Sequence, residues 1–354
     1  MLNDTQPQKL RLAINGFGRI GRNVLRAFVK APEKFASIEI VAINDVADFE
    51  SLLHLLRFDS THGRLSDLGV QADIMHKEGR AMLCLSKDEY QWQILLINEP
   101  NPSLMPWAAL AVDVVLECTG KFRSYADASH HRTAGAAQVI VGAAPFDEVD
   151  ASVVMGVNDE LLNRRLPIIS SVSCTTQALV PLLSVLDERF GVDSVMMTEI
   201  HALTADQNVL DQAHRDLRRA RAGSHNIIPT TSSSINATER VLPFLKDRIN
   251  GHSIRVPTIN VAAIDVNVLF KTRTSADEVA DFLRQISRER LSGIMGFTDE
   301  PLVSSDFIGD AHSLVIDGGQ IMQSGEQVKI FAWYDNEWGY ANRLLDMCAI
   351  LARR

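Results

Sequence analysis

Leu10-Arg11-Leu12-Ala13-Ile14-Asn15-Gly16-Phe17-Gly18-Arg19-Ile20-Gly21 is the stretch on which the fold turns. Its first half alternates and then runs apolar, as a buried strand does. A G-x-G-x-x-G follows without a gap. Beyond it Val24, Leu25, Phe28 and Val29 recur at helical spacing, which predicts a helix over 23–35. Glycines placed between a strand and a helix have separate jobs. Gly16 permits the tight turn, Gly18 lets backbone amides approach a pyrophosphate, and Gly21 lets helix and strand pack closely. A second strand over 38–43 ends at Asn44-Asp45. Asp45 lies 24 positions beyond Gly21, near the spacing at which an acid meets an adenosine ribose. An acid there repels a 2'-phosphate and so points to NAD rather than NADP.

The same pattern continues. Val112-Asp113-Val114-Val115-Leu116-Glu117-Cys118 and Val139-Ile140-Val141-Gly142-Ala143 read as further buried strands, with a helix predicted over 125–136. Strands alternating with helices predict an α/β chain whose N-terminal Rossmann domain is a doubly wound parallel sheet. Ligands bind beyond the carboxyl ends of such strands, so Thr119 and Gly120 are candidates to line a cofactor. Cys118 falls within its strand and reads as a core residue.

Composition bounds the partners. At 354 residues the chain exceeds the usual size of one core, so two domains are expected. A net charge of -9 argues against a general nucleic-acid or membrane binder and requires any anionic substrate to find a locally basic pocket. Cys84, Cys118, Cys174 and Cys348 are scattered, with neither zinc spacing nor a disulfide framework, so no metal is expected. The start, 1–9, is polar and lacks a basic-then-apolar leader pattern. No apolar run approaches the roughly 18 residues needed to cross a bilayer. A cytoplasmic location is the resulting expectation.

Chemistry concentrates in the second half. Ser171-Val172-Ser173-Cys174-Thr175-Thr176-Gln177 places one cysteine among hydroxyls, ahead of an apolar helix predicted over 178–190. A thiol at the positive end of a helix is expected to be acidified and nucleophilic. The run 194–201 is strand-like and ends in His201, a candidate base that spacing alone does not distinguish from an ordinary buried histidine. Asp216-Leu217-Arg218-Arg219-Ala220-Arg221 is the densest basic cluster, within the aperiodic stretch 204–229. Its arginines suit either surface ion pairs or, for one of them, a phosphate. Thr230-Thr231-Ser232-Ser233-Ser234 suits an anion nest or a helix N-cap. Arg255 precedes a strand predicted over 259–270. Asn336 offers a donor and an acceptor to a carboxamide such as nicotinamide's, or caps the final helix, predicted over 341–352.

Taken together, these runs resemble the glyceraldehyde-3-phosphate dehydrogenase family over nearly the whole chain. The resemblance rests on 15–22, 173–176, 201–204, 216–221, 227–231, 255–258 and 334–340, in the family's order. It implies a Rossmann domain over 10–173, completed by the C-terminal helix 336–354, and an α+β catalytic domain over 174–335 with a mixed, largely antiparallel sheet. It implies Cys174 as nucleophile and His201 as its base, acting on a phosphorylated aldehyde with NAD as cofactor. Thr204 and Arg255 match the site for the substrate's phosphate. Ser173, Thr175, Arg219, Ser232 and Ser233 match the site of an attacking inorganic phosphate. Arg19, Ile20, Asp45, Thr119 and Asn336 match NAD contacts. A homotetramer is also implied.

Some positions depart from the family pattern. Gln177-Ala178 stands for Asn-Cys, Gln212-Ala213 for a Leu-Pro pair that helps exclude NADP, and Ser233 for a glycine. Asn98-Glu99-Pro100 lacks an arginine placed near the adenine. The sister family, erythrose-4-phosphate dehydrogenase, is matched by 312–318 and 341–346 and uses water instead of phosphate. A catalytically weak NAD-binding protein with a regulatory role is a further alternative.

Overall fold

A computed structural model describes residues 8–354. The reading of the polar start therefore lies almost wholly outside the described residues. The chain divides into two units. One comprises the chain up to Val153 with Asp159–Val172 and Ala341–Arg354; the other comprises Val154–Asn158 and Ser173–Tyr340.

The first unit holds β1 (Leu10–Asn15), α1 (Arg19–Lys30), β2 (Ile38–Asn44), α2 (Phe49–Arg57), the short pair β3 (Phe58–Asp59) and β4 (Gly63–Arg64), β5 (Gln71–Lys77), β6 (Arg80–Lys87), β7 (Tyr90–Ile97), β8 (Val114–Glu117), α3 (Tyr125–Thr133), β9 (Gln138–Val141), β10 (Ala151–Ser152) and β11 (Ile168–Ser170). Nine strands form one sheet in the order β10-β11-β9-β8-β1-β2-β7-β6-β5. The ladders from β10 to β7 are parallel, and β5–β7 form an antiparallel meander at one edge. Buried on both faces, β8 and β9 show no alternation of burial and are apolar but for Glu117 and Gln138; β6 alternates, with one face covered.

The glycine turn explains the start of α1. Gly16 has φ +95°, and a Cβ on it would lie 2.6 Å from the Thr119 amide nitrogen. A Cβ on Gly21 would lie 2.1 Å from the Gly16 carbonyl oxygen. The helix begins at Arg19, earlier than the apolar spacing predicted, because Gly18, in extended geometry at φ -70° and ψ -158°, ends the turn as the helix N-cap. The α3 helix likewise ends at Thr133, short of 136. Cys118 lies just past β8, and burial pushes its thiol well up.

Register brings Asn44, Asn15 and Glu117 side by side at the carboxyl ends of β2, β1 and β8. A buried hydrogen-bonded chain joins them. Asn44 Nδ2 donates to Asn15 Oδ1 (2.7 Å), and Asn15 Nδ2 to Glu117 Oε2 (2.5 Å). Trp107 Nε1 donates to His131 Nδ1 at 3.0 Å, so the His131 proton resides on Nε2, 3.1 Å from Glu117 Oε2. Both donors on Thr119 reach Glu117 Oε1.

The second unit holds α4 (Cys174–Phe190), β12 (Val192–His201), β13 (Ile228–Thr230), α5 (Ser234–Val241), β14 (Ile249–Arg255), β15 (Ala262–Phe270), α6 (Ala276–Arg288), β16 (Met295–Thr298), β17 (Leu314–Asp317), β18 (Met322–Ser324) and β19 (Gln327–Tyr334). Its sheet is mixed, ordered β13-β14-β12-β15-β19-β17-β16 with β18 on β19. Parallel pairs β12/β14 and β16/β17 sit among antiparallel ladders. No helix or strand intervenes between His201 and Ile228, as the aperiodic stretch led one to expect. The last helix, α7 (Trp338–Leu351), starts earlier than predicted, and β15 starts later. Among the described residues no helix is long and apolar enough to cross a membrane.

The two glycines of the turn separate by substitution. Gly21→Ala is expected to destabilise by about 3 kcal/mol, since backbone must move to admit the methyl. Gly18→Ala meets nothing within 4 Å and is expected to melt within a degree or two of the parent. Thermal unfolding of the two variants checks both; equal melting temperatures would contradict the packing described.

Candidate active site

Cys174 is the first residue of α4, which starts four residues before the apolar run predicted. The cause is a cap: Ser173 Oγ accepts from the Thr176 amide at 3.1 Å and meets Thr176 Oγ1 at 2.8 Å. The chain reaches this cap through Val172, whose φ of 53° is a left-handed conformation that β-branched residues rarely adopt. The sulfur is thereby held at the helix N-terminus, where four amide groups lack intrahelical acceptors.

His201 closes β12, next to β14 on one side and β15 on the other. Its Nε2 lies 3.6 Å from Cys174 Sγ. Its Nδ1 lies 2.7 Å from the Ala202 carbonyl oxygen, which can only accept. Nδ1 therefore carries the proton and Nε2 presents its lone pair to the sulfur. The two residues that spacing could not bring together are thus in contact.

Around them lies a polar cluster that sequence reading missed. Glu199 is 2% exposed, and its Oε1 lies 3.9 Å from His201 Nε2. Thr175 Oγ1 donates to Glu199 Oε1 at 2.9 Å, and Ser232 Oγ donates to Glu199 Oε2 at 2.5 Å. With its single proton spent, Thr175 Oγ1 must accept from the Tyr334 hydroxyl, 2.9 Å away. Ser234 Oγ in turn donates to Ser232 Oγ at 2.7 Å. A signal for Glu199 was present: two positions before His201 on a strand is the same face.

Burial pushes the Cys174 thiol up to about 12, and Glu199 adds to the shift; the Thr175 hydroxyl and Arg255 oppose it without prevailing. Burial also pushes His201 down to about 4, with Arg255 acting in the same sense and Glu199 against it. The expected acidified thiol is corrected accordingly. Desolvation outweighs the helix terminus, and thiol and imidazole face each other as a neutral pair.

Arg255 ends β14 directly beside His201 in the parallel register. It is buried, yet its Nε and Nη1 have no hydrogen-bond partner among the described residues, an arrangement suited to an anion. Thr204 donates from both its amide and its hydroxyl to Gln207 Oε1, at 3.0 Å each. Arg219 is engaged: Asp206 Oδ2 lies 2.6 Å from Nη1, and Nη2 donates to the Thr231 carbonyl at 3.1 Å. Ser233 is the exposed N-cap of α5 with φ -78°, so serine in place of glycine is unstrained there.

The first unit holds the residues expected at a dinucleotide. Gly18 is exposed with open space where a Cβ would stand, and α1 starts with neither a side-chain cap nor an acid in its first turn. A helix start of this kind, here at Arg19 and Ile20, suits a pyrophosphate. Arg19 is paired to Asp59, whose carboxyl burial raises but whose bonds from His62, Arg19 and Thr61 hold well below the usual range. Asp45 Oδ2 accepts from the Phe17 amide at 2.7 Å, tying the end of β2 to the glycine turn. Gly120 has φ +70°, next to the anchored Thr119. In the second unit Asn336 is buried, and its Oδ1 lacks a partner among the described residues. The glycine cradle by itself fits the pyrophosphate of NAD.

Comparison with known proteins agrees over both units. Residues 10–125 match the family described as glyceraldehyde 3-phosphate dehydrogenase, NAD binding domain, and residues 173–336 match its C-terminal domain. Proteins named glyceraldehyde-3-phosphate dehydrogenase from Mycobacterium tuberculosis (strain ATCC 25618 / H37Rv) and Mycobacterium bovis (strain BCG / Pasteur 1173P2) are each 43% identical over 346 residues, covering 97% of this chain and 99% of the relative. The chain belongs to the glyceraldehyde-3-phosphate dehydrogenase family and is an NAD-dependent dehydrogenase.

Proposed function

We propose that this enzyme oxidises glyceraldehyde 3-phosphate through a thioester on Cys174. The observation that carries the reading is the Cys174–His201 pair, 3.6 Å apart with the imidazole tautomer fixed, beside a buried guanidinium with unpartnered nitrogens. The mycobacterial relatives bear the corresponding name.

In this reading Cys174 Sγ attacks the aldehyde carbon while its proton passes to His201 Nε2. Arg255 and Thr204 hold the substrate's phosphate and so orient the carbonyl. NAD, when bound, supplies the hydride acceptor that turns the thiohemiacetal into a thioester. Gly16, Gly18, Arg19, Ile20, Gly21, Asp45, Thr119 and Gly120 hold the dinucleotide, and Asn336 faces its carboxamide. The first unit serves as the cofactor domain and the second as the catalytic domain, and the family's homotetramer is the proposed assembly. Inorganic phosphate, held by Ser173, Thr175, Arg219, Ser232 and Ser233, is the acyl acceptor that the resemblance implies. A second acceptor, water, is favoured by Glu199, which already takes the Thr175 and Ser232 hydroxyls.

Assays with glyceraldehyde 3-phosphate and erythrose 4-phosphate test the substrate. A kcat/KM at least about tenfold higher for the triose is expected; a preference for the tetrose would overturn it. Cys174→Ala is expected to abolish NADH formation, the first turnover included, while leaving the Kd for NAD within about twofold. Arg255→Leu is expected to raise KM for the triose phosphate roughly 30-fold, about 2 kcal/mol, with NAD affinity unchanged. Steady-state kinetics and a binding titration read these outcomes.

A further inference from the structure

We infer that Glu117 is a positioning residue of the cofactor site: it takes the Thr119 hydroxyl proton, so that Thr119 meets NAD as a hydrogen-bond acceptor and selects a donor on the dinucleotide. This rests on the reading of the first unit as the cofactor domain, with Thr119 among the residues that hold NAD.

The bonds that reach Glu117 have forced directions. The Glu99 amide donates to Asn44 Oδ1 at 2.9 Å, and the Glu99 carbonyl accepts from Asn44 Nδ2 at 3.1 Å; backbone groups cannot exchange these roles. Asn44 Nδ2 therefore also donates to Asn15 Oδ1, which leaves Asn15 Nδ2 to donate to Glu117 Oε2. From the other side the Trp107 indole makes His131 Nε2 a donor to the same oxygen. The Thr119 amide, which only donates, lies 2.8 Å from Glu117 Oε1. Three obligatory donors thus converge on a carboxylate that is 1% exposed. The Thr119 hydroxyl has a choice of roles, and it too donates to Oε1. Its oxygen already accepts from the Lys121 amide at 3.0 Å. A hydroxyl has one proton and two lone pairs, so Thr119 Oγ1 is left with a single lone pair and no proton to give.

Thr119 stands where a ligand would meet it. It follows the carboxyl end of β8, the end of such strands beyond which nucleotides bind. A Cβ on Gly16 would lie 2.6 Å from its amide nitrogen, so Thr119 abuts the glycine turn itself. Thr119 is half-buried, whereas Glu117, Asn15, Asn44 and His131 are at most 4% exposed. Glu117 therefore acts through Thr119 rather than by touching the ligand. NAD carries the matching donors: the adenine amino group, the carboxamide amino group and the ribose hydroxyls. Glu117→Gln breaks the assignment. Its amide nitrogen confronts either two obligatory donors, at Asn15 and His131, or one, at the Thr119 amide. The second arrangement is the lesser conflict. It points an N–H at Thr119 Oγ1, frees the hydroxyl proton and turns Thr119 from acceptor to donor.

The test is a binding titration of the full-length protein with NAD and with dinucleotides lacking the adenine amino group, the carboxamide amino group or a ribose hydroxyl. One of these analogues is expected to bind at least about tenfold more weakly than NAD, and Thr119→Val to bring that analogue and NAD within about twofold of each other. Preferences that survive Thr119→Val for every analogue would overturn the inference. Glu117→Gln is expected to raise the Kd and the KM for NAD about 20-fold, with a fall in kcat of less than about threefold, and to add less than about twofold in the Thr119→Val background. A full effect in that background means that Glu117 does not act through Thr119, and counts against it. Trp107→Phe separates positioning from stability, since it frees His131 but leaves Glu117 bonded to Thr119. It is expected to lower the melting temperature and leave the Kd for NAD within about twofold; a rise as large as that of Glu117→Gln would reduce the effect to general loosening and overturn the inference. If Glu117→Gln does not fold, the analogue titrations decide. A wild-type protein that binds no NAD would instead sink the cofactor-domain reading, which is a separate failure.

Discussion

One hydrogen bond sets the direction in which a proton can travel. The Ala202 carbonyl holds His201 Nδ1 at 2.7 Å, and a carbonyl has no proton to give. The lone pair is therefore on Nε2, and Nε2 faces Cys174. The surrounding structure keeps this relation rigid. β12 lies inside its sheet, laddered on both sides up to His201, and α4 begins at the sulfur because Ser173 caps it. Were the tautomer reversed, the same distance would place a donor against a thiol, and the pair would have no base.

The first unit uses the same device away from any nucleophile. There a tryptophan indole, which only donates, forces the His131 proton onto the nitrogen that faces Glu117. In both cases a neighbour with a single hydrogen-bonding role removes an ambiguity that imidazole otherwise carries. The consequences differ. His131 links strand ends and Thr119 into one buried polar chain, whereas His201 keeps a lone pair free for chemistry. Burying polar groups stabilises only when each finds a partner. Arg255 Nε and Nη1 and Asn336 Oδ1 are among the buried polar atoms that find none among the described residues.

Much of the fold was legible because periodicity reports local geometry. The β1–turn–α1 unit follows from Gly16, Gly18 and Gly21 alone, and the parallel sheet follows from apolar strands recurring between helices. The largest errors lay at helix starts. Arg19 and Cys174 are polar or small residues that apolar spacing ignores, yet turn and cap geometry begin the helices there. The site was legible as parts: Cys174, His201, Arg255 and the hydroxyl runs could each be named. Their assembly could not be read, since Thr175 and Tyr334 meet across 159 positions. Glu199 was passed over because an acid in a strand usually marks a solvated face; only the shared face with His201 pointed inward. The thiol's acidity was misjudged because a sequence displays neighbours but not the water they exclude.

The buried setting of Arg255 bears on how a charged molecule arrives. The chain's net charge of -9 repels a phosphorylated aldehyde at long range, while a recessed guanidinium attracts it only once it has nearly docked. Salt at about 0.1 M screens charges beyond roughly 10 Å and leaves close contacts largely intact. Rising ionic strength should therefore remove the repulsion before it weakens the attraction. Capture of such a substrate then quickens on moving from very dilute buffer towards cellular ionic strength, the inverse of the behaviour of enzymes whose basic surfaces draw anions in from afar.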